Sequence, residues 1–568
     1  MSWAPEIRAV KRAVRLVYPV TVDQPRWPDL LGPDFQAFQG RLAGLPADAP
    51  RVLLAPSTGH PTFTTLDSVL AVALTLRGAR VDVLLCDEAL PACHNCMLGK
   101  YQDEWIANEF LRYGPKRDIC RTCFSPAAAM FETVGIRLRR YGDFLSADDI
   151  ASAWRLAREL PPDEMCAYTM DGMPIGEHAR AGAIRFFART SLEREARGVD
   201  VLRRYFAAAL MTRTSLDRLF SRHAYVNATF NHGIYIPQGI VGAVARHHGV
   251  RIATWSVAYR KRSFIFSHGD TYHHTLMNEP VANWQDIEWD AAIEEDLLGY
   301  LKSRWTGAED WITFAHAPET AVDAISRQTG IDFSKPSVGL LTNVMWDAQL
   351  HYPQNAFRDM WDWLVTTIRH FASRSDLQLI IRVHPAELRG HIKSRQPVAE
   401  EIRRELGDLP PNIHVIPPDS PVSTYAVMLQ CDSVLIYGTK TGVELTSLGV
   451  PVIVAGEAWI RNKGITLDAR SREHYLELLH SLPLGRRLDE ETMRRAKKYA
   501  YHFFFRRMIP VEAVEPGPPG GWSTYVVRPT RLAELEQGRD PGLDAICDGI
   551  LTGREFIYPA EMLREVPC

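Results

Sequence analysis

The chain has almost no net charge. Its 568 residues carry 65 Lys and Arg against 68 Asp and Glu, a formal −3 with histidine neutral. A protein that gripped nucleic acid through its overall field would need a basic excess, so that class is not expected. Long apolar runs are missing as well: none approaches the roughly 20 residues that span a bilayer. The opening Met1-Ser-Trp-Ala-Pro-Glu lacks the basic stretch, apolar centre and small-residue cleavage site of a secretory signal, which gives an expectation of a cytoplasmic protein. Cysteine is scarce, nine in the chain, far too few for a disulfide scaffold of this length. A composition 46% hydrophobic and 23% charged excludes collagen-like and largely disordered chains. The length exceeds one hydrophobic core and suggests about three or four domain-sized units.

What is present is an alternation of strand-like apolar runs with helical patterns, which reads as α/β with parallel sheets. Arg51-Val-Leu-Leu-Ala55 is the first strand, followed by the loop Pro56-Ser-Thr-Gly-His60, a helix over about 64–77 closed by Gly78, and the strand Val81–Leu85. The rhythm returns at Ala224–Ala228, the loop Phe230–Gly239 and the strand Arg251–Trp255. A second repeat starts near Lys335 and continues through Leu377–Val383, Asn412–Ile416, Ser433–Tyr437 and Pro451–Ala455. A helix over about 490–507 and the breaker Glu515-Pro-Gly-Pro-Pro-Gly-Gly521 follow. The simplest architecture is two Rossmann-like halves facing a cleft. Residues 1–330 would form the first, with a Cys-rich insertion at about 86–125; 331–505 would form the second, and 506–568 an extension. Loops at the carboxyl edges of such sheets are where ligands bind.

The richest stretch is Tyr437-Gly-Thr-Lys-Thr-Gly-Val-Glu444. Small residues from Gly438 onward admit a diphosphate close to the backbone, and a helix start supplies free N–H donors. Glu444 could accept from a ribose; equally, Thr441-x-x-Glu444 is a capping box that needs no ligand. Arg382-Val-His384-Pro ends another strand at the same edge, where Arg382 and His384 could stabilise charge on a leaving phosphate. Alternatively Arg382 pairs with Glu387 and His384 satisfies a carbonyl. A third edge loop runs from Asn343 to Asp347.

With Arg382-Val-His-Pro385, Tyr437–Glu444 and Leu448-Gly-Val-Pro451 in hand, the second half resembles bacterial capsule and surface-polysaccharide glycosyltransferases of GT-B fold, the capsule-synthesis Kdo transferases and, more remotely, the teichoic-acid polymerases. The resemblance covers about 335–505 well and the first half only by general pattern. It implies a nucleotide-activated sugar donor with chemistry that needs no metal. It also implies a polysaccharide or lipid-linked acceptor, donor-phosphate contacts from His384, Thr439 and Thr441, and a nucleotide contact from Glu444. Asn343, Arg382, Gly438 and Lys440 complete the expected donor site, although Lys440 departs from the usual hydroxyl-only turn. Phosphoglycerol-type transfer, sugar-nucleotide epimerisation and a non-catalytic scaffold are the competing readings.

Transfer with inversion needs a base within reach of the attacking hydroxyl. His60 and His232 follow first-half strands beside glycine, and Asp270 is the carboxylate alternative within Ser267-His-Gly-Asp-Thr-Tyr-His-His274. Of His273 and His274, at most one is expected to face the cleft. Five of the nine cysteines lie between Cys86 and Cys123. Cys93-x-x-Cys96 and Cys120-x-x-Cys123 offer four soft ligands on two turns, the pattern of a structural zinc, with an iron–sulfur cluster as alternative. Finally, Val10–Tyr18 and His502–Arg507 mix basic and apolar residues, either for peripheral attachment at the inner face of the plasma membrane or as ordinary amphipathic helices.

Overall fold

The fold described below comes from a computed structural model, covering residues 22–563 apart from 101–103, 118, 312–317, 349, 351, 391 and 519–522. The basic-apolar segment Val10–Tyr18 and the terminal Cys568 lie outside the described residues.

Two mixed α/β layers are present. The first sheet contains β1 (Arg51–Ser57), β2 (Arg80–Leu85), β3 (Arg137–Arg140), β4 (Asn227–Asn231), β5 (Arg251–Val257) and β6 (Ser263–His268). The second contains β7 (Ser337–Leu341), β8 (Gln378–Arg382), β9 (Ile413–Ile416), β10 (Ser433–Ile436), β11 (Val452–Val454) and β12 (Leu467–Asp468). Strand order in the second is β12-β11-β10-β7-β8-β9, all parallel. The first repeats that order as β5-β4-β1-β2-β3, then adds β6 antiparallel to β5. Both sheets therefore reverse direction of winding once, between β1 and β4 and between β7 and β10. Ligands bind at such switch points.

Every apolar run read as a strand in the sequence overlaps a strand, although the run read at Ala224–Ala228 is shifted: β4 starts only at Asn227 and continues to Asn231. Helix Pro61–Leu76 follows β1 and ends before Gly78, whose φ of +83° closes the turn. The cysteine segment is the connection from β2 to β3, and its last part, helix Cys120–Val134, is the crossover helix packed on the first sheet.

The chain crosses between the layers twice. With the boundary expected at 330, helix Ala291–Ser303 nonetheless shares its core with helix Glu490–Tyr501 and the second sheet. After residue 506 the chain returns: β13 (Ile509–Pro510) pairs antiparallel with β6, and helix Pro541–Thr552 packs on helix Pro61–Leu76. The segment His502–Arg507 is no membrane contact, because Phe503 and Phe504 are fully buried in the second layer's core. Among the described residues no helix is long and apolar enough to cross a membrane.

At the two crossings lies a buried charge group. Glu279, on the outward crossing, meets His502 Nε2 at 2.9 Å and Arg507 Nε at 3.5 Å on the return. Arg507 also donates to the carbonyls of Phe556 and Phe266 at 2.7 and 2.9 Å. Replacing Arg507 with Leu should leave Glu279 buried beside a neutral imidazole and cost about 3–5 kcal/mol. Thermal unfolding should show a lowered midpoint, partly restored when Glu279→Gln is added; an unchanged midpoint would discard this pinning role.

Candidate active site in the cleft between the sheets

The two switch points are built alike. In the first sheet Gln238 Nε2 donates to the Pro56 carbonyl at 3.2 Å, tying the start of helix Gln238–His247, which follows β4, to the carboxyl end of β1. In the second, the Gly438 N–H donates to Asn343 Oδ1 at 3.3 Å, tying the loop after β10 to the loop after β7. Ser57, His232 and Ala348 all hold φ between 52° and 65°, a region non-glycine residues avoid. Such backbone costs of order 1–3 kcal/mol per residue and collects where function fixes the loop.

Across the cleft the loops meet. Tyr235 OH donates to Asp347 Oδ1 at 2.6 Å and accepts the Ala348 N–H at 2.8 Å. His273 packs on Trp459 with ring centroids 5.4 Å apart and on His232 at 6.1 Å. His232 lies 5.1 Å from the Tyr235 ring, and His94 contributes a third imidazole, 5.2 Å from Tyr235 and 6.2 Å from His232. The result is a half-buried cluster of histidine, tyrosine and one carboxylate, with His384 and Lys440 on the second-sheet side.

Each expected site residue can now be placed. His384 accepts the Ala386 N–H on Nδ1 at 3.0 Å, which leaves the ring proton on Nε2. Burial, then Lys440 and Arg382, push its pKa down to about 4, so it is a neutral donor at pH 7. His232 is pushed down to about 4 by burial, against an opposing pull from Asp347. His60 serves as a helix cap, its Nδ1 accepting the Thr62 N–H at 3.3 Å, and its ring stands 5.9 Å from Phe63. Asp270 is taken by His274, whose Nδ1 sits 2.8 Å from Oδ2, while His274 Nε2 lies 3.6 Å from Glu457 across the cleft. The expectation that at most one of His273 and His274 faces the cleft does not hold: on helix Tyr272–Met277 neighbours stand only about 100° apart, and His273 reaches Trp459 while His274 reaches Glu457.

Two expectations for the donor side need correction. Arg382 turns away from the cleft: it donates to the carbonyls of Pro417 and Ser420 and to Thr424 Oγ1, bracing the loop after β9. Glu444 is only 1% exposed and already saturated. Its carboxylate accepts from Tyr425 OH and from Lys440 Nζ at 2.7 Å, and it is ion-paired with the Arg304 guanidinium, whose Nε lies 3.2 Å away. Burial alone would raise its pKa, but Arg304 and Lys440 hold it at about 2. A ribose hydroxyl could reach it only by displacing one of these partners. The capping box is not formed either; Thr439 Oγ1 caps Thr441 N at 3.4 Å and meets Thr441 Oγ1 at 3.2 Å.

The two-turn zinc arrangement also differs from expectation. Cys120 and Cys123 sit in the first turn of an α-helix rather than on a tight turn. Among the described residues no group of three or more His, Cys, Asp or Glu is placed to hold a metal. The Cys93 and Cys96 sulfurs are 3.7 Å apart, whereas Cys123 Sγ accepts the Gly59 N–H at 3.0 Å. A Cβ on Gly59 would fall 1.7 Å from the Cys123 carbonyl, so only glycine lets this helix abut the loop after β1. Asp347 and Tyr235 are the site residues to which the sequence assigned no role; Asp347 closes the Asn343–Asp347 loop and Tyr235 lies within Phe230–Gly239, but only the sheet order brings those loops together.

No protein-family model matches the chain, and no curated protein matches it. Among solved structures it is similar to the Thermosulfurimonas dismutans KpsC beta Kdo 2,4 transferase, at 13% identity over 49% of this chain and 79% of that one, TM-score 0.31. It is similar also to the spinosyn rhamnosyltransferase SpnG, at 13% identity over 79% and 95%, TM-score 0.24. A third is S. aureus MnaA bound to UDP, at 11% identity over 80% and 92%, TM-score 0.24.

The depressed imidazoles set a pH dependence. His232, His384 and His502 fall from an ordinary 6.5 to about 4 and His273 to about 3, in each case first through burial. The unfolded chain therefore binds protons before the folded one as pH falls. Stability from these groups is complete above about 6.5 and is lost on the way down toward 4. Thermal unfolding at pH 5 should have a lower midpoint than at pH 7.5, and His502→Gln should flatten that slope; equal midpoints would contradict the burial of these rings.

Proposed function

We propose that this chain is a glycosyltransferase that moves a sugar from a nucleotide-activated donor to a hydroxyl of a surface-polysaccharide or lipid-linked acceptor. The carrying observation is the meeting of two switch points across one cleft, with neutral imidazoles and Asp347 between them. In this reading the donor lies against the second sheet, along the stitched Asn343–Gly438 edge with Thr439, Thr441, Lys440 and His384. The Nε2–H of His384 and the Lys440 charge are assigned to the leaving phosphate in place of a divalent ion, where fixed donors act on developing charge. The acceptor lies against the first sheet. With His60 capping a helix and Asp270 held by His274, His232 is the remaining base among the expected candidates. It would take the acceptor proton while Asp347 stabilises the imidazolium formed. Its low proton affinity suits the waiting, unprotonated state.

Support for an enzyme over a scaffold comes from the strained loops at the first switch point, which a passive framework has no need to maintain. The test is a thermal-shift panel of UDP, GDP, CMP and CDP compounds. Stabilisation by one nucleotide is expected, about 2.7 kcal/mol at a hundredfold excess over Kd. His384→Ala should weaken that response and His232→Ala should spare it while lowering turnover by roughly 10²–10⁴. A wild-type chain insensitive to every nucleotide would sink the reading.

For the cysteine segment the same reading keeps a structural zinc on Cys93, Cys96, Cys120 and Cys123, with an iron–sulfur cluster as alternative. Its support is the 3.7 Å Cys93–Cys96 separation, which matches the sulfur–sulfur edge of roughly 3.7–3.8 Å for tetrahedral zinc with bonds of about 2.3 Å. Occupation requires the Cys120 and Cys123 thiols to turn toward that pair. Elemental analysis of the purified chain should find one zinc, reduced by Cys93→Ser; zinc-free or brown protein would reject it.

A further inference from the structure

The Cys93-His94-Asn95-Cys96 turn is placed at the cleft, not on a remote excursion. The turn closes on itself through the Cys96 N–H to the Cys93 carbonyl at 3.0 Å. Tyr205 OH donates to the carbonyls of Cys93 and Cys96 at 3.2 and 3.3 Å, anchoring the turn to helix Gly198–Arg222. Arg185 Nη1 donates to the His94 carbonyl at 2.7 Å, and its guanidinium lies 4.8 Å over the Tyr235 ring. So held, the His94 ring is buried edge-on against Phe63 and Tyr235, each at 5.2 Å, and stands 6.2 Å from His232. Tyr235 passes the contact to Asp347 of the second sheet at 2.6 Å.

The same segment touches the second layer directly. Met97 packs with Ala188, Trp346 and Ile392 in a small apolar cluster that spans the cleft. A Cβ on Gly99 would stand 3.1 Å from Ile392 Cγ2 and 3.3 Å from the Lys393 carbonyl, so the two backbones run close together.

We propose that this turn is a cross-cleft clasp in which His94 is a positioning residue: it fixes the Tyr235 and His232 rings against Asp347, and Met97 holds the second sheet's loops to them. This deepens the glycosyl-transfer reading, since the groups positioned are the base and its carboxylate. The physical content is orientation, where displacement by about 1 Å costs on the order of a hundredfold in rate. No metal is required for it, because Tyr205 and Arg185 already fix the turn.

The test uses the full chain with ¹³C-labelled histidine rings and two variants, His94→Gln and Met97→Ala. Both should move the His232 ring resonance while leaving His414 and His474, which belong to the second layer, where they are. Both should lower kcat, His94→Gln by ten- to a hundredfold, with donor affinity unchanged in the nucleotide thermal shift. His232 resonances identical to wild type in both variants, with full turnover, would overturn the clasp. If the wild-type chain transfers no sugar, the resonance shifts still decide the clasp, and it is the glycosyl-transfer reading that fails. Should His94→Gln not fold, Met97→Ala alone carries the decision, since it removes only methyl and thioether contacts at the clasp's far end.

Discussion

The rest of the molecule depends on a buried ionic contact where the chain changes layers. Glu279, His502 and Arg507 are each at most 2% exposed, so the charges have no water to fall back on. Burial alone would keep Glu279 protonated; Arg507 and His502 instead hold it ionised, at about 2. An ion in that position tolerates little displacement, because every ångström of separation from its partner is charged at low-dielectric strength. Arg507 adds bonds to Phe266 in β6 and to Phe556 near the chain's end. One guanidinium thus ties outward crossing, return crossing and the edge of the first sheet together. With the crossings fixed, the distance between the two carboxyl edges is fixed, and a cleft of definite width results.

That width determines which residues become a site. Loops 112 residues apart in sequence, as Tyr235 and Asp347 are, meet only because both sheets reverse winding at the same relative place. Tyr235 reaching Asp347, and His273 reaching Trp459, are consequences of the topology first and of the loops second. The polarity of the two walls differs as a result. The first sheet contributes rings kept neutral by burial, while the second contributes Lys440, drawn to the cleft edge beside Glu444 and Arg304.

How much of this was legible beforehand follows from what each element needs. Central strands are buried on both faces, so Leu377–Val383 or Ser433–Tyr437 announce themselves as apolar runs. β3 does not: Arg137-Leu-Arg-Arg140 is an edge strand with one neighbour, partly exposed, and three of its four residues are arginines, of which Arg139 pairs with the buried Asp82 of β2. β6 was hidden for another reason, its polar end Ser267-His268 blending into the loop that follows. At the site, His384 and Gly438 were readable because a strand end followed by small or polar residues is a local signal. Asp347 and Tyr235 were not, since a lone Asp or Tyr in a loop gains meaning only from the partner that folding brings.

Glu444 shows the limit of motif reasoning most clearly. Thr441-x-x-Glu444 allowed a cap or a ribose contact, both local to one helix. The cap does not form, and what engages the carboxylate instead is Arg304, 140 positions earlier, buried with its guanidinium against Asp310 and Glu444 together. Lys440 and Arg304 balance Glu444 and Asp310, two positive charges against two negative, so the group is neutral as a whole and stable where it is buried. The Glu444 carboxylate is here neutralised from within the chain. Lys440 is the one member of that balance lying at the cleft edge, 12% exposed against 5% or less for the others. An anionic ligand at the second switch point would therefore compete with Glu444 for Lys440, and the carboxylate would retain Arg304 and Tyr425. Glu444 would act on such a ligand through the lysine it holds, as a counter-charge that sets how firmly Lys440 can turn toward a phosphate.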